Sequence, residues 1–263
     1  MSVWYCVPSK RPAAEAEKCL ARWRGMGYRI ALWRDDDAEF APGDWVHRGP
    51  YPGYATAVNH LVQFILKSYP DPGYRDWVVT GGDDVYPDPT HTAQEIAESC
   101  SREFGMRNGL YAVECLEFYQ NPEVSARGMM RPHSTFGVMQ PTGDKWGDKN
   151  GPYIERVAGS PWMGREWCER INQGRGPLWP EYFHMGEDEE LQHVAIKHGV
   201  FWQRPDLIHY HDHWGRAREG ERLGQRDRMP QFLEKANSPE EWHKYKKLFS
   251  ERLAAGFPGS DPL

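Results

Sequence analysis

The hydrophobic positions of this chain fall into two alternating patterns, short unbroken runs and longer stretches with helical spacing. Val3 to Val7 is an apolar run stopped by Pro8, Ser9, Lys10, Arg11 and Pro12, and such a run reads as a strand buried on both faces. After Pro12, Ala16, Leu20 and Trp23 recur at helical spacing, and Gly25 and Gly27 supply a stop. Tyr28 to Trp33 is a second strand, running into Arg34, Asp35, Asp36 and Asp37. Over Tyr54 to Leu66, Ala57, Leu61, Phe64 and Ile65 share one helical face. Trp77 to Val79 is a third buried strand, and Thr92 with Glu95 has the spacing of a capping box that opens the next helix. The order β-α-β-α-β-α predicts an α/β fold with a mostly parallel central sheet flanked by helices.

The second half is less regular. Leu110 to Leu116, Thr135 to Met139 and Ile154 to Ala158 have strand composition, and Pro161 is placed to open a helix over Trp162 to Ile171. Gln140 to Gly151 is a long polar loop, of the kind that is either disordered or a lid. A helix over Leu191 to His198 is preceded by Glu187, Asp188, Glu189 and Glu190 and closed by Gly199; strands follow at Val200 to Trp202 and Leu207 to His213. Ser238, Pro239 and Glu241 form a strong helix start, and Gly256 to Pro262 is expected to fray. The expected organisation is one domain over residues 1–228 and a C-terminal helical extension, 229–263, packed on it.

Composition narrows the class. A chain of 263 residues, 39% of them hydrophobic, can bury a core of its own. No apolar run approaches the roughly 20 residues of a membrane span. Met1 to Cys6 lacks the features of a signal peptide, so the expected location is the cytoplasm, with no membrane partner. Cys6, Cys19, Cys100, Cys115 and Cys168 are scattered and hold no Cys-x-x-Cys pair, which argues against a disulfide framework or a zinc knuckle. A formal charge of -6 gives no global attraction to nucleic acid and leaves only a local basic patch for that role. Twelve tryptophans are costly to scatter over a surface, and although most are expected in the core, such rings also stack on sugars or bases.

The candidate chemistry centres on the strand Trp77 to Val79, whose end releases Gly81, Gly82, Asp83 and Asp84. Adjacent carboxylates at the carboxyl end of a central strand suit Mg²⁺ or Mn²⁺ that bridges to substrate phosphates, although the same four residues also make an ordinary turn. Lys10 and Arg11 follow the first strand and Asp35 ends the second, where phosphates and the ribose or base lie in a mononucleotide-binding fold. The Gly-x-Gly-x-x-Gly signature of dinucleotide dehydrogenases is absent there. Glu187 to Glu190 complement a helix dipole, which alone accounts for acids in that place, or supply a base. His209, His211 and His213 at spacing two share one face of an extended strand, a metal- or phosphate-binding pattern. Arg216, Arg218, Arg222, Arg226 and Arg228, interleaved with acids, can hold a diphosphate or form a solvated face.

Strand-end acids, a late carboxylate and a late histidine together suit transfer of a sugar from a nucleoside diphosphate, with a metal on the leaving group and a carboxylate deprotonating the acceptor. On these residues the chain resembles the GT-A (Rossmann-like) glycosyltransferases, family 2-like, of a kind encoded in phage genomes. Gly53 to Asn59 is similar to the family's donor helix, Gly82-Asp83-Asp84 to its Asp-x-Asp element, and Glu187-Asp188 to its Glu-Asp base motif. Thr135 to Asp144 and Gly159 to Glu166 resemble the phage group. Gly82 replaces the first acid of Asp-x-Asp, and the Gln-x-x-Arg-Trp element of processive synthases is absent, which implies addition of a single sugar.

The resemblance implies that Asp84, with His211 or His213, holds Mn²⁺ or Mg²⁺. It implies nucleoside contacts from Asp35, Tyr54 and Asn59, a nucleotide or sugar contact from Asp83, and Arg11 near the phosphates. It makes Asp188 the base of an inverting displacement, a retaining route following if Asp188 only caps its helix. Arg216 and Arg218 would belong to a diphosphate-ordering loop, and Trp146 and Trp162 would stack on the acceptor. The implied donor is a UDP-sugar; the acceptor is a modified pyrimidine in phage DNA, reached by base flipping, or a small molecule, protein or glycan. The competing classes are a metal-dependent phosphodiesterase or nuclease built on His209, His211 and His213, and a noncatalytic sugar- or nucleic-acid-binding module.

Overall fold

The computed structural model describes residues 1–70, 75–107, 134–144, 159–214 and 229–263. The strand expectations at Leu110 to Leu116 and Ile154 to Ala158, Trp146 and the arginines from Arg216 to Arg228 lie outside the described residues. The first half alternates as its hydrophobic pattern requires: β1 (Val3–Ser9), α1 (Ala13–Gly25), β2 (Arg29–Arg34), β3 (Trp45–Arg48), α2 (Tyr54–Ser68), β4 (Trp77–Thr80), β5 (Val85–Tyr86) and α3 (Ala93–Arg107). There follow β6 (Val138–Pro141), β7 (Trp162–Gly164), α4 (Arg165–Arg170), α5 (Glu187–Lys197), β8 (Phe201–Arg204), β9 (Tyr210–His211) and α6 (Pro239–Ala254). Short 3₁₀ turns lie at Ile171–Gly174 and Gln231–Leu233.

Seven strands form one sheet in the order β3-β2-β1-β4-β7-β6-β8. The pairs β3/β2, β2/β1, β1/β4 and β6/β8 are parallel; only β7 runs against its neighbours, β4 and β6. Trp4, Tyr5, Cys6 and Val7 are fully enclosed because β1 is central and covered on both faces, hence its lack of polar alternation. Chain order reverses beside β1: the strands before β4 are added on one side and β4 on the other. Such a switch point opens a crevice at the carboxyl ends of the two strands.

Several details differ from the sequence reading. Pro8 does not end β1, because pairing with β4 stops at Cys6↔Thr80 and the missing N–H of Pro8 faces no partner strand there. β3 has only Trp45 and Val46 as apolar residues and no alternating pattern, so as a half-buried edge strand it left no sequence signal. Trp162 to Gly164 is a strand rather than the first turn of a helix, which begins only at Arg165. Pairing to β4 and β6 on both sides overrides the local proline signal, and Gly164 is needed there because a Cβ would lie 1.9 Å from the Thr135 carbonyl oxygen. The last residues do not fray: Phe257 and Ser260 are buried, and Leu263 N–H donates to the Arg170 carbonyl.

The C-terminal extension starts as its sequence requires, with Ser238 Oγ accepting from Glu241 N–H and Pro239 in the first turn. It docks on α5 through a buried ion pair, Arg252 to Glu190 at 2.6 and 2.7 Å, with the guanidinium 3.4 Å over the Trp179 ring. Among the described residues no helix is long and apolar enough to cross a membrane.

Candidate active site

A cleft of about 790 Å³ opens at the switch point, lined by the residues that leave β1 and β4, by Asp35 at the end of β2, and by the start of α5. The β4 exit is built by hydrogen bonds from the buried sheet. Thr80 Oγ1 donates to the Cys6 carbonyl at 2.8 Å, and Tyr5 Oη to the Gly82 carbonyl at 2.6 Å. Tyr54, at the first position of α2, reaches Thr80 Oγ1 at 2.7 Å and the Gly81 carbonyl at 3.1 Å. Its helix starts this close because Gly53 adopts φ 103°, and a Cβ there would meet the Phe183 carbonyl oxygen at 2.7 Å.

The two acids released by this turn are held by neighbours at the end of β1 and in the loop that follows it. Asp83 accepts from Ser9 Oγ at 2.7 Å and from Arg11 Nε at 2.7 Å. Asp84 accepts from Arg11 at 2.9 Å on one oxygen and lies 3.2 Å from His211 Nε2 on the other. One guanidinium therefore bridges both carboxylates. Burial raises Asp83 above the usual carboxylate range despite Arg11. Burial also pushes Asp84 upward, but the hydrogen bond and charge of His211, then Arg11, more than offset it, and it lies below that range. Arg34, fully enclosed, braces the same loop by donating to the carbonyls of Ser9 and Arg11. Lys10 pairs with Asp35 at 3.2 Å on the open side.

The opposite wall is the first turn of α5. Gly186 adopts φ 93° and Tyr245 of α6 packs where its Cβ would be, so backbone and space both require glycine, and Tyr245 Oη donates to Glu189 at 3.0 Å. Asp188 is half-buried in the first turn, and its Oδ1 accepts from Glu189 N–H at 2.9 Å, where the helix dipole favours a negative charge. Burial and the nearby Glu189 charge raise Asp188 above an ordinary aspartate. Glu187 is buried, and its Oε2 has no hydrogen-bond partner. Tyr51 Oη and His184 Nδ1, 3.1 Å apart, complete this wall.

His211 is positioned by two acids that the sequence reading gave no role. Asp144 accepts from His211 N–H at 2.9 Å, and Asp88 accepts from Ile208 N–H at 2.9 Å while also holding the turn at Thr90 and His91. His213 lies beside it, ring centroids 5.0 Å apart, next to Trp214. His209 does not share their face. Only Tyr210 and His211 pair as a strand, with β5, and His209 turns into the core against Trp23 and Trp162, with Ser160 Oγ 3.1 Å from its Nδ1. Burial pushes it down to about 3, so it stays neutral.

Among the described residues no group of three metal-ligating side chains is assembled. Asp84 and His211 nevertheless present a hard oxygen and an imidazole 3.2 Å apart. That separation is close to the roughly 3 Å between neighbouring ligand atoms of an ion with bonds near 2.1 Å. Mg²⁺ binds through one or two carboxylates plus substrate phosphates and water. The pair fits an ion of that type, which would compete with Arg11 for Asp84.

Arg11, Asp35, Tyr54, Asp83, Asp84, Asp188, His211 and His213 thus line one cleft. Asn59 does not: it is buried, donating to the Leu178 carbonyl at 2.7 Å and accepting from Leu178 N–H at 3.0 Å, so it pins a loop rather than a nucleoside. Trp162 is fully enclosed in the sheet and cannot stack on an acceptor. Arg216 and Arg218 lie outside the described residues. Ser9, Tyr51, His184 and a further cleft wall that includes Phe232 and Lys235 carried no motif that marks them in the sequence, nor did Arg34, which braces the loop from behind. No protein-family model matches the chain, and no curated protein matches it.

Proposed function

We propose that the chain is a metal-assisted glycosyltransferase that moves one sugar from a nucleoside diphosphate, a UDP-sugar in the first instance, to an acceptor hydroxyl. The observation that carries this reading is convergence: Arg11, Asp35, Asp83, Asp84, Asp188 and His211, from distant parts of the chain, line a single cleft at the switch point of the sheet. The mostly parallel sheet, with paired acids leaving β4, is compatible with the GT-A fold that the motifs resemble.

In this reading Asp84 and His211, with His213 beside them, hold Mn²⁺ or Mg²⁺, which when bound neutralises charge on the departing diphosphate. Lys10 and Arg11 give the β1 side of the cleft its cations, and Asp35 and Tyr54 stand where the nucleoside would lie. Asp188 takes the proton of the acceptor hydroxyl, and its raised affinity for protons brings it nearer the pH at which a general base works best. Trp214 and Phe232, also at the cleft, offer apolar faces for a sugar or base ring, including a hydroxylated pyrimidine of DNA. The nuclease alternative is left with His211 and His213 alone, because His209 is in the core.

The test is thermal stabilisation by UDP, GDP, CDP and TDP, each with Mn²⁺ or with EDTA, for wild type and Asp84→Ala. A metal-dependent shift with one diphosphate, lost in the variant, is expected. Absence of any shift overturns the reading, and a shift unchanged in Asp84→Ala returns the chain to the class of noncatalytic binding modules.

A further inference from the structure

Glu187 is 5% exposed, lines the cleft, and leaves Oε2 without a hydrogen bond. A buried polar atom in this condition is uncommon and costs about 1–3 kcal/mol unless something satisfies it. Its neighbour Asp188 accepts a helix N–H, which is the usual reason for acids in this turn, whereas Glu187 Oε2 has no such partner. Tyr51 and His184, on the same wall, are polar at one end and tied to each other at 3.1 Å. The wall therefore combines an unsatisfied carboxyl oxygen with a hydroxyl and an imidazole, inside a cleft and one residue from the proposed base.

We propose that Glu187, Tyr51 and His184 form the subsite for a neutral sugar, with a sugar hydroxyl donating to Glu187 Oε2. The proposal rests on the glycosyl-transfer reading and adds the class of sugar. Burial and the Asp188 charge hold the Glu187 carboxyl well above the usual range, so it can donate as well as accept, as a ring of vicinal hydroxyls requires. A sugar bearing its own carboxylate would meet the ionised Asp188 beside Glu187 and be repelled. The subsite thereby discriminates against uronic acids as the transferred group.

The experiment is calorimetric titration, with Mn²⁺, of wild type, Glu187→Gln and Glu187→Leu. Its probes are the four nucleoside diphosphates, their glucose conjugates and their glucuronate conjugates. Bare diphosphate should bind all three proteins alike. The glucose conjugate should bind wild type and Glu187→Gln alike and bind Glu187→Leu about tenfold more weakly, the loss of one hydrogen bond. The glucuronate conjugate should bind wild type at least about tenfold more weakly than the glucose conjugate. Equal glucose-to-diphosphate affinity ratios in wild type and a folded Glu187→Leu overturn the subsite, as does a glucuronate conjugate that binds as well as glucose. If no diphosphate binds wild type, the glycosyl-transfer reading itself has failed, a result distinct from either.

Discussion

Asp188, the proposed base, also accepts a main-chain N–H in the first turn of α5, and its surroundings reconcile the two. One oxygen accepts the Glu189 N–H, and burial pushes the group up to about 6. A base works only when ionised, so the proton must be off before transfer begins. Below that value the protonated form dominates, and the rate should fall about tenfold for each pH unit, levelling off above it. A profile of transfer rate between pH 5 and 8 measures this directly; a flat profile removes Asp188 as the base. Asp188→Asn should abolish transfer by about 10² or more while leaving diphosphate affinity intact. Asn59 shows the opposite case, a residue whose motif suggests ligand and whose contacts are internal. Asn59→Ala strands both the N–H and the carbonyl of buried Leu178 and should cost about 2–4 kcal/mol in urea denaturation. A direct nucleoside contact would instead show as lost affinity at unchanged stability.

At the scale of elements, what the sequence made legible had a local physical cause. β1, β2, β4 and α2 carry unbroken or helically spaced apolar residues, the Thr92–Glu95 box forms with reciprocal bonds of 2.8 and 3.3 Å, and Ser238 caps α6. Illegible elements were defined by partners rather than composition. β3 and β7 are strands because a sheet edge and a gap between β4 and β6 receive them, and His209 leaves its expected face because the extended pairing around it is only two residues long. The acids and His211 were legible as chemistry, whereas the residues that fix them act across long separations in sequence, Ser9 on the Asp83 carboxylate and Arg34, Asp88 and Asp144 on main-chain carbonyls and N–H groups. The docking of α6 follows the same logic. Arg252 meets Glu190 across 62 residues, and Arg252→Ala leaves that carboxylate buried without its cation. The expected cost is about 3–5 kcal/mol by chemical denaturation. Because Glu190 lies on the helix that carries Asp188, transfer should weaken in the variant beyond what its unfolded fraction explains.

Across the whole molecule, the mostly parallel sheet gathers residues as distant as Arg11 and His211, and the C-terminal extension lines one wall of the cleft that results. Residues 231–237 line the cleft, Lys235 lies 5.4 Å from the Phe183 ring centroid, and Tyr245 packs at the turn that starts α5. The extension is thus part of the site and part of the core, since Phe257 and Ser260 are buried and Leu263 is bonded to Arg170. A chain ending at residue 228 would expose Trp179, leave Glu190 unpaired and open one wall of the cleft. It should lose the single cooperative transition expected of the full chain and show no diphosphate-dependent stabilisation. Phe232→Ala separates the two contributions, because Phe232 is 37% exposed and its removal should leave the melting temperature nearly unchanged. If acceptor rings stack on Phe232, this variant raises KM for the acceptor and leaves the affinity for diphosphate alone. If the chain ending at 228 melts and binds as the full chain does, the extension is an appendage, and the acceptor side of the cleft must be sought among residues 1–228.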